Sequence, residues 1–282
     1  MKLLVIGGQG MAGHMIVQYF QKQPSFEVKY TTRSPNDGIF FDAMKMETID
    51  TIIKKIQPDY VINAIGLLND RAENNQLEAI QVNSLFPHFL KRRLDETGGK
   101  LIHISTDCVF LGQMSKEMTN LNREGRYTEK DTPDGQTIYA RTKFLGEVHT
   151  PPHITIRTSI IGPELKDGIG LFHWFMKQKG DINGYTNVYW NGVTSLQLAK
   201  AIHNVIEEGI TGLYHLTAPE VISKYHLLKL IQHVFQKQDV VIHPFEDIKL
   251  DRTLRNTRDE KIFVPPYDQM IQELYEWMKH HE

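Results

Sequence analysis

No part of this chain constrains its fold more than the first twenty residues. Met1-Lys-Leu-Leu-Val-Ile6 is an apolar run long enough for one buried strand and too short for a core helix. Gly7-Gly-Gln-Gly10-Met-Ala-Gly13 follows at once, and then His14-Met-Ile-Val-Gln-Tyr-Phe20, whose apolar positions suit a helix. Strand, glycine turn and helix in that order form the start of a dinucleotide site. The glycines permit a tight turn, close approach of backbone to a pyrophosphate, and close packing of helix on strand. The free N–H groups and positive dipole end of the new helix suit the phosphates.

The segments that follow alternate strand-like and helix-like, which predicts a parallel sheet covered by helices. Strands are expected at Phe26–Thr32, Tyr60–Ile65, Lys100–Ser105 and His153–Arg157. Helices are expected over Met46–Ile56 and over Glu78–Leu94, the second kinked at Pro87. The expected fold is α/β, a Rossmann-type doubly wound parallel sheet with a smaller C-terminal substrate lobe. Residues 1–160 would form the cofactor domain, rejoined by about 186–218, with 161–185 and 219–282 as the substrate lobe. Thr186–Trp190 and Gly212–Thr217 read as strands, and Ser195–Glu208 as a helix. Ser223 offers an N-cap for a helix running to about Gln236, and a final helix spans Tyr267–Lys279.

Composition is ordinary for a globular protein, with 40% hydrophobic and 23% charged residues. A net charge of −2 gives no electrostatic reason to expect nucleic acid or an anionic membrane as a partner. No run approaches the roughly 18 apolar residues that span a bilayer, and no signal-peptide pattern opens the chain, so a cytoplasmic location is expected. The single cysteine, Cys108, excludes an internal disulfide and a cysteine-rich metal site, and the 13 histidines are scattered. No metal is expected.

In an open parallel sheet, ligands bind beyond the carboxyl ends of the strands. Gly7–Gly13, Asn63–Gly66 and Ser105-Thr-Asp107 all fall at such ends. Downstream, Tyr139-Ala-Arg-Thr-Lys143 places a tyrosine and a lysine on one face of a helix. An ammonium beside a phenol lowers the cost of the phenolate and lets the tyrosine exchange a proton with a substrate oxygen. Thr106 can hydrogen-bond the same oxygen. Counting about 20 residues on from Gly13, where an acid would bind the ribose 2′-hydroxyl of NAD, reaches Arg33 instead. A guanidinium suits a 2′-phosphate, so NADPH is the expected cofactor, with NADH as the alternative.

Taken together, Gly7-x-x-Gly10-x-x-Gly13, Asn63-Ala-Ile-Gly66, Ser105-Thr-Asp107, Tyr139-x-x-x-Lys143 and Arg157-Thr-Ser159 occur in the order seen in extended short-chain dehydrogenase/reductases. The chain most resembles their dTDP-4-dehydrorhamnose reductase branch, through Ser105-Thr-Asp-Cys-Val-Phe110 and Ile156-Arg-Thr-Ser159. That resemblance implies a catalytic trio of Thr106, Tyr139 and Lys143. It also implies a cofactor site of Gly7, Gln9, Gly10, Met11, Gly13, Arg33, Ala64, Ile65, Gly66 and Asn83, together with Tyr139 and Lys143, and with Ser159 nearby. Substrate contacts are implied for Thr106, Asp107, Cys108, Val109, Trp190, Arg252 and Arg255, with Arg258 in the same arginine cluster.

The implied reaction is NADPH-dependent reduction of the 4-keto group of a nucleotide-activated 4-keto-6-deoxy sugar, in cell-surface polysaccharide precursor synthesis. The implied partner is a nucleotide-diphosphate sugar, and a homodimer is compatible with the resemblance. The segment Gly112–Arg126 is longer than the rhamnose enzymes lead one to expect and lies where it could cover the sugar. The Asp107-Cys-Val-Phe110 and Asp251-Arg-Thr-Leu254 segments look more like reductases of UDP-linked 4-keto-6-deoxy-N-acetylhexosamines. An epimerase of the same fold and a non-catalytic NADP-binding regulatory subunit are the alternatives. Dehydratases place Asp-Glu where this chain has Asp107-Cys108.

Overall fold

The structure, a computed structural model, describes all residues except 35–36, 114–125, 167 and 281–282. In its first half run β1 (Lys2–Ile6), α1 (Met11–Gln21), β2 (Glu27–Thr32), β3 (Ile39–Phe40), α2 (Ile49–Ile56) and β4 (Tyr60–Asn63). Then follow α3 (Asn69–Asn74), α4 (Gln76–Ala79), α5 (Phe86–Thr97), β5 (Lys100–Thr106), α6 (Ile138–Leu145) and β6 (Ile154–Thr158). After β6 come β7 (Ile160–Ile161), α7 (Leu171–Lys177), β8 (Gly180–Trp190), β9 (Val193–Thr194), α8 (Ser195–Glu208) and β10 (Gly212–His215). The chain closes with β11 (Ile222–Ser223), α9 (Lys224–Val234), β12 (Val240–Asp251) and α10 (Tyr267–Lys279). No described helix is long and apolar enough to cross a membrane.

Seven strands form one parallel sheet in the order β3-β2-β1-β4-β5-β6-β10. Along β1, Leu3 and Val5 join a core with Ile16 and Phe20 of α1 and Ile202 of α8. Leu4 and Ile6 point the other way, onto Ile49 and Ile53 of α2 and Phe86, Leu90 and Leu94 of α5. A strand buried on both faces needs an unbroken apolar run, which is what Leu3–Ile6 supplies. Each fully buried Leu or Ile contributes roughly 1.5–3 kcal/mol relative to exposure. The sheet runs outward from β1 in both directions, so a crevice opens between β1 and β4 at their carboxyl ends.

Two expectations need correction. Thr186–Trp190 is the second half of the longer β8, and it does not rejoin the large sheet. β8 pairs parallel with β12 and antiparallel with β11 in a separate three-stranded sheet. Only from β9 onward does the chain return, through α8, to β10 on the large sheet's edge.

The helix expected over Glu78–Leu94 is divided by a π-helical stretch, Ile80–Leu85. Pro87 has no N–H for the Asn83 carbonyl four residues before it, so the regular ladder cannot continue through that point. The freed carbonyl meets Gly146 at the end of α6, where a Cβ would lie 1.8 Å from Asn83 O. Glycine at 146 therefore lets α6, the helix carrying Tyr139 and Lys143, pack directly on the π-helical turn.

Candidate active site

The glycine turn can be divided by what a Cβ would meet at each position. At Gly7, which has φ +86°, it would strike Ile65 Cγ2 at 2.4 Å, and at Gly13 it would strike Gly7 O at 2.0 Å. These two glycines serve the turn and the packing of α1. At Gly10 the nearest atom would be 3.5 Å away. Gly10 is exposed and caps α1 with no side-chain hydrogen bond, so the first N–H groups of the helix are open to an anion. The residues present thus fit a dinucleotide diphosphate. Ala64, whose N–H donates to Ile6 O at 3.1 Å, and Ile65 lie against this turn, and Gly66 lies near Asn83 and Lys143.

Around it the rim is polar. Gln9 donates to Asp37 at 2.6 Å and accepts from Lys166 Nζ at 2.8 Å. Met11 meets the loop at Gly170. Arg33 is exposed, one residue beyond β2. Asp37, which the count from Gly13 passes over, also accepts a hydrogen bond from Tyr30. The Tyr30 hydroxyl and Gln9 hold its carboxyl below the usual range.

Facing the turn from the carboxyl end of β5, Thr106 is buried, accepts the Cys108 N–H at 3.1 Å and donates to Asp107 at 3.2 Å. Tyr139 and Lys143 lie on the buried side of α6, whose N-cap Thr137 accepts the Ala140 N–H at 3.1 Å. Burial raises the Tyr139 pKa and outweighs the opposing hydrogen bond with Thr106. The net direction is opposite to the eased ionisation expected from the Tyr–Lys spacing. Without a ligand, Tyr139 is firmly protonated.

Lys143 donates to Ile104 O at 2.7 Å and stands 3.5 Å from His103 Nε2. Burial pulls its pKa down to about 8. On the far side of His103, Nδ1 meets Asn63 Nδ2 at 3.1 Å, and both residues are fully buried. Burial and the Lys143 charge keep His103 neutral.

Asn83, expected at the cofactor, spends its side chain on the protein itself. It bonds Leu67 N at 2.8 Å, Leu67 O at 3.0 Å and Thr142 Oγ1 at 3.0 Å. It braces the loop after β4 against α6, and its amide has no further N–H directed to a ligand in this arrangement. Ser159 O accepts the Val193 N–H at 2.8 Å and joins β6 to the β9 region.

The expected substrate residues separate into two sets. Asp107, Cys108 and Val109 form a short 3₁₀ turn directly after Thr106, and Cys108 packs against the cluster holding Tyr139. Arg252 reaches this turn, with Nε donating to Leu111 O at 3.3 Å and Nη1 meeting Cys108 Sγ at 3.5 Å. Trp190 is 3% exposed and tilts against Tyr267, with ring centroids 5.6 Å apart.

Arg255 and Arg258 lie elsewhere. The Arg255 side chain is exposed while its N–H donates to Tyr127 O at 2.6 Å. Arg258 is bound to Thr211 O, to Leu213 O at 3.1 Å and to Glu260, on the edge of β10. The chain forms no helix over residues 252–258, so side chains that a helix would have gathered are spread apart.

One residue absent from the sequence expectations joins the first set. Lys224, at the start of α9, stands with Nζ 4.9 Å from the Trp190 ring and within electrostatic reach of Asp107 and Cys108. Its only local signal is Ser223 before it, which marks a helix start and gives no hint of the site. Most of the segment expected to cover the sugar, residues 114–125, lies outside the described residues. Among the described residues, no group of three His, Cys, Asp or Glu could hold a metal. A hollow of about 920 Å3 lies between α9 and α10 and includes none of these residues.

The model of the family described as RmlD substrate binding domain matches residues 1–259. The chain is 24% identical over 236 residues to the spore coat polysaccharide biosynthesis protein SpsK of Bacillus subtilis, covering 82% of this chain and 78% of that protein. It is 28% identical over 175 residues to a dTDP-4-dehydrorhamnose reductase of Mycobacterium tuberculosis, a match spanning 59% of this chain and 56% of the relative.

Among solved structures, dTDP-4-dehydrorhamnose reductase from Bacillus anthracis in complex with NADP superposes with a TM-score of 0.80. Its identity is 18%, over 98% of this chain and 99% of that one. The chain belongs to the RmlD substrate binding domain family and is an extended short-chain dehydrogenase/reductase, an oxidoreductase.

Proposed function

We propose that the protein uses NADPH to reduce the 4-keto group of a nucleotide-activated 4-keto-6-deoxy sugar, as a step toward a cell-surface polysaccharide precursor. The observation that carries this reading is the meeting of Thr106, Tyr139 and Lys143 beside the crevice into which the open start of α1 faces. Bound there, the nicotinamide supplies the hydride. Tyr139, held protonated by burial, donates the proton to the keto oxygen, and Thr106 hydrogen-bonds that oxygen. Lys143, fixed by Ile104 O, offers its remaining N–H groups to the ribose hydroxyls. Cys108 argues against dehydration. Burial and the Asp107 carboxylate push its thiol up to about 11, so it exchanges no proton near neutrality at the position where dehydratases carry a carboxylate.

Arg33 favours the 2′-phosphate of NADPH, whereas Asp37, held at the rim by Gln9, favours the 2′-hydroxyl of NADH. One experiment addresses both reaction and cofactor. The purified protein is given NADPH or NADH with dTDP- and UDP-linked 4-keto-6-deoxy sugars, and the product is identified by NMR. Oxidation of NADPH with one of these sugars is expected, and none with any of them defeats the reading. Loss of a charge-assisted contact in Arg33→Ala should raise the KM for NADPH roughly tenfold or more and leave that for NADH nearly unchanged. Equal effects on the two cofactors remove Arg33 from the site and leave the choice to Asp37.

A further inference from the structure

Lys224 occupies a costly position. As the first residue of α9 it puts a cation at the positive end of a helix. Burial adds to that cost and pulls its pKa down to about 8. Among the described residues, no group accepts a hydrogen bond from its ammonium, whose contact is the face of Trp190 at 4.9 Å. The same indole is 3% exposed, and its Nε1–H has no hydrogen-bond partner among the described residues. Unpaired buried donors are rare in native proteins and point to a missing acceptor.

Asp107 is bonded within its own turn, by the Thr106 hydroxyl at 3.2 Å and by the Cys108 thiol. It senses both Lys224 and Arg252 without forming an ion pair within 4.0 Å of either. Arg252 is occupied by Leu111 O and Cys108. What remains, among the described residues, is two donors without acceptors and one carboxylate with acceptor capacity to spare. Asp107 opens the turn that follows Thr106, whose Cys108 packs on the Tyr139 cluster; Lys224 lies within electrostatic reach of that turn, and Trp190 lies under Lys224.

We propose that Lys224, with Trp190 and Asp107, forms a subsite for an acylamino substituent on the hexose, close to the carbon whose keto oxygen meets Tyr139. This rests on reading the protein as a nucleotide-sugar reductase and specifies which sugar that reductase takes. A secondary amide presents a strong carbonyl acceptor and one N–H donor. Its carbonyl takes the Lys224 ammonium and the indole N–H together, and its N–H goes to Asp107. A hydroxyl at the same position is shorter and reaches fewer of these groups, which leaves a buried donor unpaired. Sites with polar groups left unpaired discriminate strongly against the analogue that fails to pair them.

The test is a binding measurement that needs no turnover. Calorimetry on the NADP⁺-saturated protein compares UDP-N-acetylglucosamine with UDP-glucose, and the dTDP-linked pair in the same way. For the accepted nucleotide, the acetamido sugar should bind at least about tenfold more tightly. Lys224→Met should abolish that preference while leaving affinity for the glucose nucleotide and for NADPH as in wild type. Lys224→Arg should retain part of it. Trp190→Phe, which keeps a ring and removes the N–H, should also reduce the preference, and it serves as the second test if Lys224→Met fails to fold.

Absence of any preference in the wild type with both nucleotides overturns the proposal. So does an equal loss for both sugars in Lys224→Met, which would place the lysine on the shared diphosphate. Binding with the expected preference but no NADPH oxidation on the keto sugars would keep the subsite and defeat the reductase reading.

Discussion

Tyr139→Phe is expected to bind NADPH as wild type does and to reduce its sugar hundreds of times more slowly, or worse. Positioned proton transfer typically contributes about 10²- to 10⁴-fold to a rate. Among the described residues of this site, no neighbouring group replaces the lost proton donor. Thr106 is a hydroxyl of ordinary acidity, and burial raises the Cys108 thiol to about 11. Lys143, the nearest cation on the helix, is held by Ile104 O and His103 on the other side.

The substitution also isolates the chemistry. The ring of Tyr139 packs with Leu67, Ala72 and Ala79, contacts that phenylalanine keeps. The hydroxyl takes part in no backbone bond found among the described residues. Stability and NADPH affinity should therefore change little, with kcat and kcat/KM falling together, as for an interaction made in the transition state. Fluorescence titration of NADPH and single-turnover kinetics separate the two effects. Turnover within a few-fold of wild type would remove Tyr139 from the role of proton donor.

What could be read before the structure follows from distance along the chain. The glycine turn is covalently local, so its spacing alone specified strand, turn and helix, and the sheet followed from alternating patterns. Tyr139 and Lys143 were legible for the same reason, being four residues apart on α6. The net effect of burial on Tyr139 was not, because it depends on Leu67, Ala72 and Ala79 folding over the ring. Asp37 comes to the glycine turn through Gln9, 28 positions earlier, after a strand end that a fixed count skips. Lys224 comes over Trp190 and within electrostatic reach of Asp107 because β8 and β11 pair antiparallel just before it. The three arginines at 252, 255 and 258 illustrate the opposite error. Their spacing suggested a cluster, but the irregular backbone sends Arg258 to the edge of β10.

The second large effect concerns the pin beneath the site. Glu147, just past α6, and Arg157 on β6 are each 1% exposed and bonded twice, Nε to Oε1 at 2.7 Å and Nη2 to Oε2 at 2.6 Å. Ser105 donates to the same carboxylate at 2.7 Å. Burial pushes the Glu147 carboxyl up, but Arg157, His149 and Ser105 outweigh it and hold it below the ordinary range. Arg157→Met leaves that carboxylate buried and uncompensated, a change that typically costs about 3–5 kcal/mol. The double variant Arg157→Met/Glu147→Met should recover most of the loss, since paired apolar replacements of buried ion pairs are often neutral or stabilising. Failure of the double variant to recover would show that Glu147 acts on α6 by more than pairing with Arg157.

Acid should weaken the same cluster. Arg157 Nη1 lies 3.4 Å from His215 Nε2, which must therefore accept. His215 Nδ1–H then donates to Tyr127 O at 3.1 Å and to Arg255 O at 3.2 Å. Burial, opposed by Glu129 and reinforced by Arg157, lowers the His215 pKa to about 4. Unfolded, this histidine binds its proton below about pH 6.5, while the folded protein resists until about pH 4. Stability should thus fall as pH drops through that window, by up to about 1.4 kcal/mol per pH unit from this group. Glu147 adds to the loss at lower pH, as its own folded value is reached. Urea unfolding from pH 7 to pH 4.5 measures the slope, and His215→Asn should flatten it whatever the variant's offset in stability. An unchanged slope in that variant would mean that the acid lability comes from elsewhere, with fully buried, neutral His103 as the next group to replace.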